Sequence, residues 1–143
     1  MKTSTKFAIV SIVFAIISFG LSRVIWPDAP GMPGPSDNLL PFFIFISALE
    51  SAAFGVGVSF ACFGWKHIRA VLPADKTGAT LWFIALTWML VSWWPHDNMH
   101  RVNPMNDFAG LLHIEFMFHF TLIIATFVLA RYFWKIISEK KVL

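Results

Sequence analysis

Charge is scarce in this chain. Asp, Glu, Lys and Arg make up 13% of its 143 residues, against 57% hydrophobic ones, and the mean hydropathy is +0.69. An ordinary soluble domain has no use for that much apolar surface, so the composition excludes that class and predicts an integral membrane protein. Cysteine is almost absent as well. Cys62 stands alone, so no intrachain disulfide can form and the compartment's redox state leaves no trace. The basic residues occur only in short segments between hydrophobic spans, which excludes a nucleic-acid surface. What is abundant is aromatic: 16 Phe and 7 Trp, suited to a lipid-facing surface with rings at the membrane interface.

A membrane helix needs ~20 apolar residues. Four stretches qualify, and they predict an all-α, single transmembrane domain over residues 1–143, with helices over 7–26, 38–68, 77–100 and 107–138. The first has a basic flank like that of a signal peptide. Its apolar part is longer, and no small-residue cleavage site follows, so a retained helix is expected. "PDAPGMPGPSDN" after it holds four prolines and two glycines and cannot be helical. Ser36 or Asp37 is the expected cap of the second helix and Asp107 that of the fourth. Nine basic residues (Lys2, Lys6, Lys66, Arg69, Lys76, Arg131, Lys135, Lys140, Lys141) fall on one side of this arrangement and two (Arg23, Arg101) on the other. Lysine and arginine favour the cytoplasmic side, so both termini are expected there, in a cell (inner) membrane. Short loops make the expected fold a four-helix up-down-up-down bundle.

Small residues recur every four positions in the second span, at Ser47, Ser51, Gly55 and Ser59. This spacing lets helix backbones approach closely in lipid, either within one subunit, the preferred reading, or across a homo-oligomer contact.

The ionisable residues inside the spans carry any chemistry. Glu50 lies about 15–18 Å from the outer end of its helix at 1.5 Å per residue, near the bilayer centre, where a carboxylate needs a partner from another helix. In the fourth span Glu115 and His119 lie about 40° apart on a helical wheel, with Thr126 and Ala130 continuing their stripe, which is expected to face the bundle interior. His113 is about 120° off that stripe. If the third helix continues through Pro95, then Trp88, Ser92, His96 and His100 share one face, and Pro95 bends it inward.

Four of the five histidines therefore crowd into "WWPHDNMHR" and "HIEFMFH". Imidazoles and carboxylates together suit copper, iron or zinc. The expected site is an outward-facing intramembrane pocket with His96, His100, His113, Glu115, His119 and Glu50 as ligands, supported by Asp97, Ser92, Thr126 and Trp88. Met99, Met105 and Met117 are soft enough for Cu(I), but gap-filling is the preferred role. His67, beside Lys66 and Arg69, reads as an interfacial residue. The spacing His96-x3-His100-x12-His113 resembles the Asp-x3-His-x12-His copper-ligand pattern in the membrane subunit of copper methane and ammonia monooxygenases. The resemblance covers eighteen residues, with His96 in place of the aspartate and Asp97 beside it. It implies copper at these positions and bears on the metal alone.

Three other readings fit the same residues. Haem b can be held by two histidines from different helices, such as His96 or His100 with His119. A Glu50–His119 pair can share a proton in a metal-free proton- or ion-handling module. The polar residues can also serve only helix–helix hydrogen bonds in an accessory or structural subunit of a larger membrane complex. No complete catalytic constellation is present in the sequence, so no reaction is assigned.

Overall fold

The computed structural model describes residues 1–31, 33–72, 75–104 and 107–140. Met32 in the Pro-rich loop, Pro73 and Ala74 in the polar connector, Met105, Asn106 and residues 141–143 lie outside these. The described residues are 83% helix and include no strand. Three helical stretches are long and apolar enough to cross a membrane: Thr3–Ile25, Leu40–Phe63 and Phe108–Ser138.

The helices are α1 (Thr3–Ile25), α2 (Leu40–Phe63), α3 (Trp65–Val71), α4 (Lys76–Val91), α5 (Trp93–Val102), α6 (Phe108–Ile114) and α7 (Thr121–Lys140). A π-helical segment, Glu115–Phe120, joins α6 to α7. Pro27 stops α1. Gly31 in the following loop takes φ +80°, a left-handed conformation in which glycine avoids the Cβ penalty. Asp107 caps α6 as its sequence suggests, accepting a hydrogen bond from the Gly110 N–H at 3.0 Å. Asp75 does the same for α4 through Gly78, at 2.7 Å.

Three sequence expectations are corrected here. The second helix starts at Leu40 without a side-chain cap. Pro41 occupies its first turn, where an absent N–H costs nothing, and the Ser36 carbonyl accepts the Leu39 and Leu40 N–H groups instead. The helix also ends at Phe63, and α3 sets off again after Gly64. The expected 77–100 helix divides at the fully buried Ser92 into α4 and α5. Pro95 supplies the reason: it cannot donate to the Val91 carbonyl, so the ladder loosens one residue before the break. At 16 residues α4 spans ~24 Å, short of the ~30 Å hydrocarbon core of a bilayer.

Packing follows chain order. Ser11 donates to Ser59 at 2.9 Å and Ser59 donates to the Phe7 carbonyl at 2.9 Å. A Cβ on Gly55 would sit 2.8 Å from the Ala15 nitrogen. Gly55 and Ser59 thus seat α2 on α1 inside one chain, and Ser51 is buried with them. Gly57 faces α4 at Leu90 and Val91. The α4–α7 contact is aromatic at one end, where Trp82 stacks 6.3 Å from Tyr132, and buries Ala79, Ala85, Ala125 and Leu129. In each pair, residue numbers fall along one helix as they rise along the other. Among the described residues α1 and α7 do not pack substantially on each other, so the long helices form an open row.

The interior stripe of the last helix differs from the expected one. Ile114, Phe118, Leu122, Ala125 and Leu129 are buried, whereas Thr126 and Ala130 are exposed. A polarity wheel misplaces this face because, in lipid, shape sorts helix faces more than polarity does. Here Phe118 lies flat on Trp88, with ring centroids 5.8 Å apart, and small alanines fit against Trp82.

Candidate metal centre

The Ser92 break lets α5 leave the axis of α4 and carry two histidines, one turn apart, toward the π segment. His96 is buried. Its Nε2 lies 3.1 Å from Nε2 of His100. The ring of His119 comes from the other side, its centroid 4.6 Å from that of His96 and 6.3 Å from that of His100. One nitrogen from each of the three rings falls within 4.8 Å of the others. Phe118 closes the group from below, its ring 5.4 Å from His96.

Two ligands at right-angle to tetrahedral geometry around a first-row ion, each ~2.0–2.1 Å from it, lie ~2.8–3.4 Å apart. The His96–His100 separation is within that interval. No spacing in the group is wider than 4.8 Å, so a bound ion would draw a ring inward by less than ~2 Å.

The π segment sets the position of His119. A π turn accommodates one more residue than an α turn and leaves local backbone groups poorly paired. Thr121 repairs the damage. Its Oγ1 donates to the Met117 carbonyl at 2.5 Å and accepts the indole N–H of Trp88 at 2.9 Å. Trp88 therefore supports the site indirectly, through Thr121 and its stack on Phe118. Neither Thr121 nor Phe118 was legible as a supporting residue. The only sequence signal was two aromatic positions flanking His119.

Glu115 accepts a hydrogen bond from Nδ1 of His119. In a neutral His119 this bond fixes the tautomer with the lone pair on Nε2, the arrangement by which a carboxylate orients a metal-binding histidine. Both side chains are 43% exposed, so this edge of the site is open.

The other expected site residues lie elsewhere. His113 points away: its Nδ1 donates to the Ala109 carbonyl at 2.8 Å, and the ring lines a shallow groove with Leu112, Phe116 and Met117. The residue that joins His96 and His100 is His119 and not His113, so the eighteen-residue copper spacing does not correspond to one cluster here. Ser92 is buried with its hydroxyl unpaired at the helix break. Thr126 turns to the Leu122 carbonyl, 2.9 Å away. Met99 packs against Ile114, Phe118 and Leu122 as core filler. Met105 is outside the described residues.

Glu50 is not among the gathered ligands. The charges acting on it come from Asp97 and Arg101, about 100° around α5 from the histidines. The polar residues thus divide into two groups on neighbouring faces of α5.

The second group is strapped to the Pro-rich loop. Arg101 donates through Nε to Asp28 at 2.9 Å, through Nη1 to Asn98 at 2.9 Å and through Nη2 to the Trp26 carbonyl at 3.0 Å. The Ala29 N–H returns to the Arg101 carbonyl at 3.0 Å, and Arg23 also pairs with Asp28. The Arg101 hydrogen bond, helped by the charges of Arg101 and Arg23, holds the Asp28 carboxyl below the usual aspartate range. A carboxyl depressed in the folded state stabilises the fold above its ordinary value and loses that contribution as pH falls through the depressed value. Amide exchange at Ala29, measured as pH is lowered, should therefore rise beyond its intrinsic trend only below the ordinary aspartate range. Asp28→Asn should show the faster exchange already at neutral pH.

Comparison with protein-family models, curated proteins and solved structures gives no match to this chain.

Proposed function

We propose that this protein is a four-span membrane protein that binds one transition-metal ion through His96, His100 and His119, with Glu115 orienting His119. The observation that carries this reading is the convergence of three imidazole nitrogens within 4.8 Å of one another, drawn from two helices of a chain otherwise poor in polar residues. Three neutral imidazoles suit copper, zinc or iron, and an edge as exposed as that of His119 leaves room for a further ligand. Three nitrogens gathered at one point suit a bare ion better than haem, which needs two nitrogens on opposite faces of a plate.

The opposed residue order in the three helix pairs supports an up-down-up-down arrangement, with α4 and α5 together as the third crossing. Nine basic residues against two favour both termini on the cytoplasmic side of a cell membrane. The histidines then lie toward the outer face, beside Trp93 and Trp94 at the interface.

Titration of the detergent-solubilised chain with Cu(II), Zn(II) and Fe(II) tests the proposal. One ion bound per chain is expected for at least one metal, and no stoichiometric binding of any of them refutes it. Glu115→Gln should retain the same stoichiometry with affinity about 10–100-fold weaker, the usual cost of losing a carboxylate that orients a ligand histidine.

A second reading has its own observation. Nε2 of His96 and of His100 are close enough to share a proton directly, as a metal-free relay requires. Proton flux in metal-stripped vesicles that His100→Ala abolishes would favour it.

A further inference from the structure

We propose that the cleft between the Pro-rich loop and α5 holds the headgroup of an amine-bearing zwitterionic phospholipid. The inference rests on the membrane reading and is independent of the metal. The cleft measures about 600 Å³, within the usual range of ligand sites. It forms where α1 ends and α2 begins, the level at which two spans meet the membrane interface. The Pro-rich loop roofs it through Pro33, Gly34 and Pro35, and α5 walls it through Asp97 and Arg101.

Its lining is divided in a way that selects such a ligand. Phe19, Leu39, Leu40, Phe43 and Ile44 make an apolar wall whose outer surface is open to lipid. Above them stand Arg23, Asp28, Asp97 and Arg101, charges of both signs, with the Ser36 and Ser47 residues between. Asp28 and Arg101 are spent on the loop strap. Arg23 is largely exposed and, among the described residues, holds only Asp28, so its guanidinium has donors to spare. No hydrogen bond or ion pair engages the Asp97 carboxylate among the described residues. One free guanidinium edge and one free carboxylate, over an apolar wall, complement a phosphate and a primary ammonium on a molecule with acyl chains. A purely anionic lipid leaves Asp97 unmatched and repelled. A choline headgroup supplies charge but no N–H to donate to Asp97.

The full-length chain, delipidated in detergent, is offered equal amounts of phosphatidylethanolamine, phosphatidylcholine and phosphatidylglycerol and examined by native mass spectrometry. Phosphatidylethanolamine should be retained about tenfold over the other two, the size of one charge-assisted hydrogen bond. Asp97→Asn should remove that preference, and Arg23→Gln should weaken retention of all three. Equal retention by the wild-type chain overturns the proposal without recourse to any variant. So does a preference that persists in monodisperse, helical Asp97→Asn protein. Binding of water-soluble phosphoethanolamine in place of the lipid overturns the assignment to a membrane component. The metal titration reports on the other face of α5, so failure of one reading does not entail failure of the other.

Discussion

His119→Ala should weaken metal binding by more than ~100-fold, while His113→Ala should leave it unchanged. Losing a group that merely orients a ligand already costs about 10–100-fold, and removing the ligand itself costs more. Among the described residues, His119 is the one histidine that approaches His96 and His100. His113 is occupied with the Ala109 carbonyl and faces a groove on the surface. The pair of variants also separates the folded geometry from linear spacing, because the copper-like pattern in the sequence assigns the third ligand to His113. Isothermal titration of both variants with the metal that binds the wild-type chain reads the result. Equal loss in both would place the ion where no three rings converge in this fold.

Deleting Phe120 should abolish metal binding while the chain stays helical. Phe120 is 58% exposed and ends the π segment, so its side chain contributes little packing within the chain. A π turn accommodates one residue more than an α turn, so removing one lets the segment close to α geometry with α6 and α7 still in phase. Both parts keep their anchors: α7 by Leu122, Ala125 and Leu129 against α4, and α6 by its Asp107 cap and the buried Ile114. His119 does not keep its place: it moves one residue closer to α7, turns by up to about 100° and no longer lies opposite His96. Circular dichroism should change little, and affinity should fall by more than ~100-fold, as for loss of the ligand. Phe120→Ala, which keeps the backbone count, should bind like the wild-type chain. Retained affinity in the deletion would show that the π turn does not position the site.

The contrast between these two variants shows where sequence reasoning reached and where it stopped. Helix existence was legible because composition and breakers are local: Pro27 through Pro35 end one span, and Asp107 caps another. The crowding of four histidines into two short stretches was legible for the same reason. The turn of each helix was not. An α wheel puts Glu115, His119, Thr126 and Ala130 on one stripe, but the π segment resets the phase and Thr126 satisfies its hydroxyl on the Leu122 carbonyl without turning inward. Pro95 marked a bend, and the helix divides at Ser92, which is what carries His96 and His100 over to the π segment. Glu50 was expected to need a histidine. The charges that act on it are those of Asp97 and Arg101, a placement that only tertiary structure determines. The small ladder of Gly55 and Ser59 was legible as an interface, and α1 is the helix that takes it.

X-ray absorption at the edge of the bound metal addresses the central claim most directly. The account predicts three imidazole nitrogens at ~2.0–2.1 Å in the loaded wild-type chain, and two in His119→Ala at whatever loading it reaches. A first shell with fewer than two imidazoles, or one containing sulfur, would contradict it.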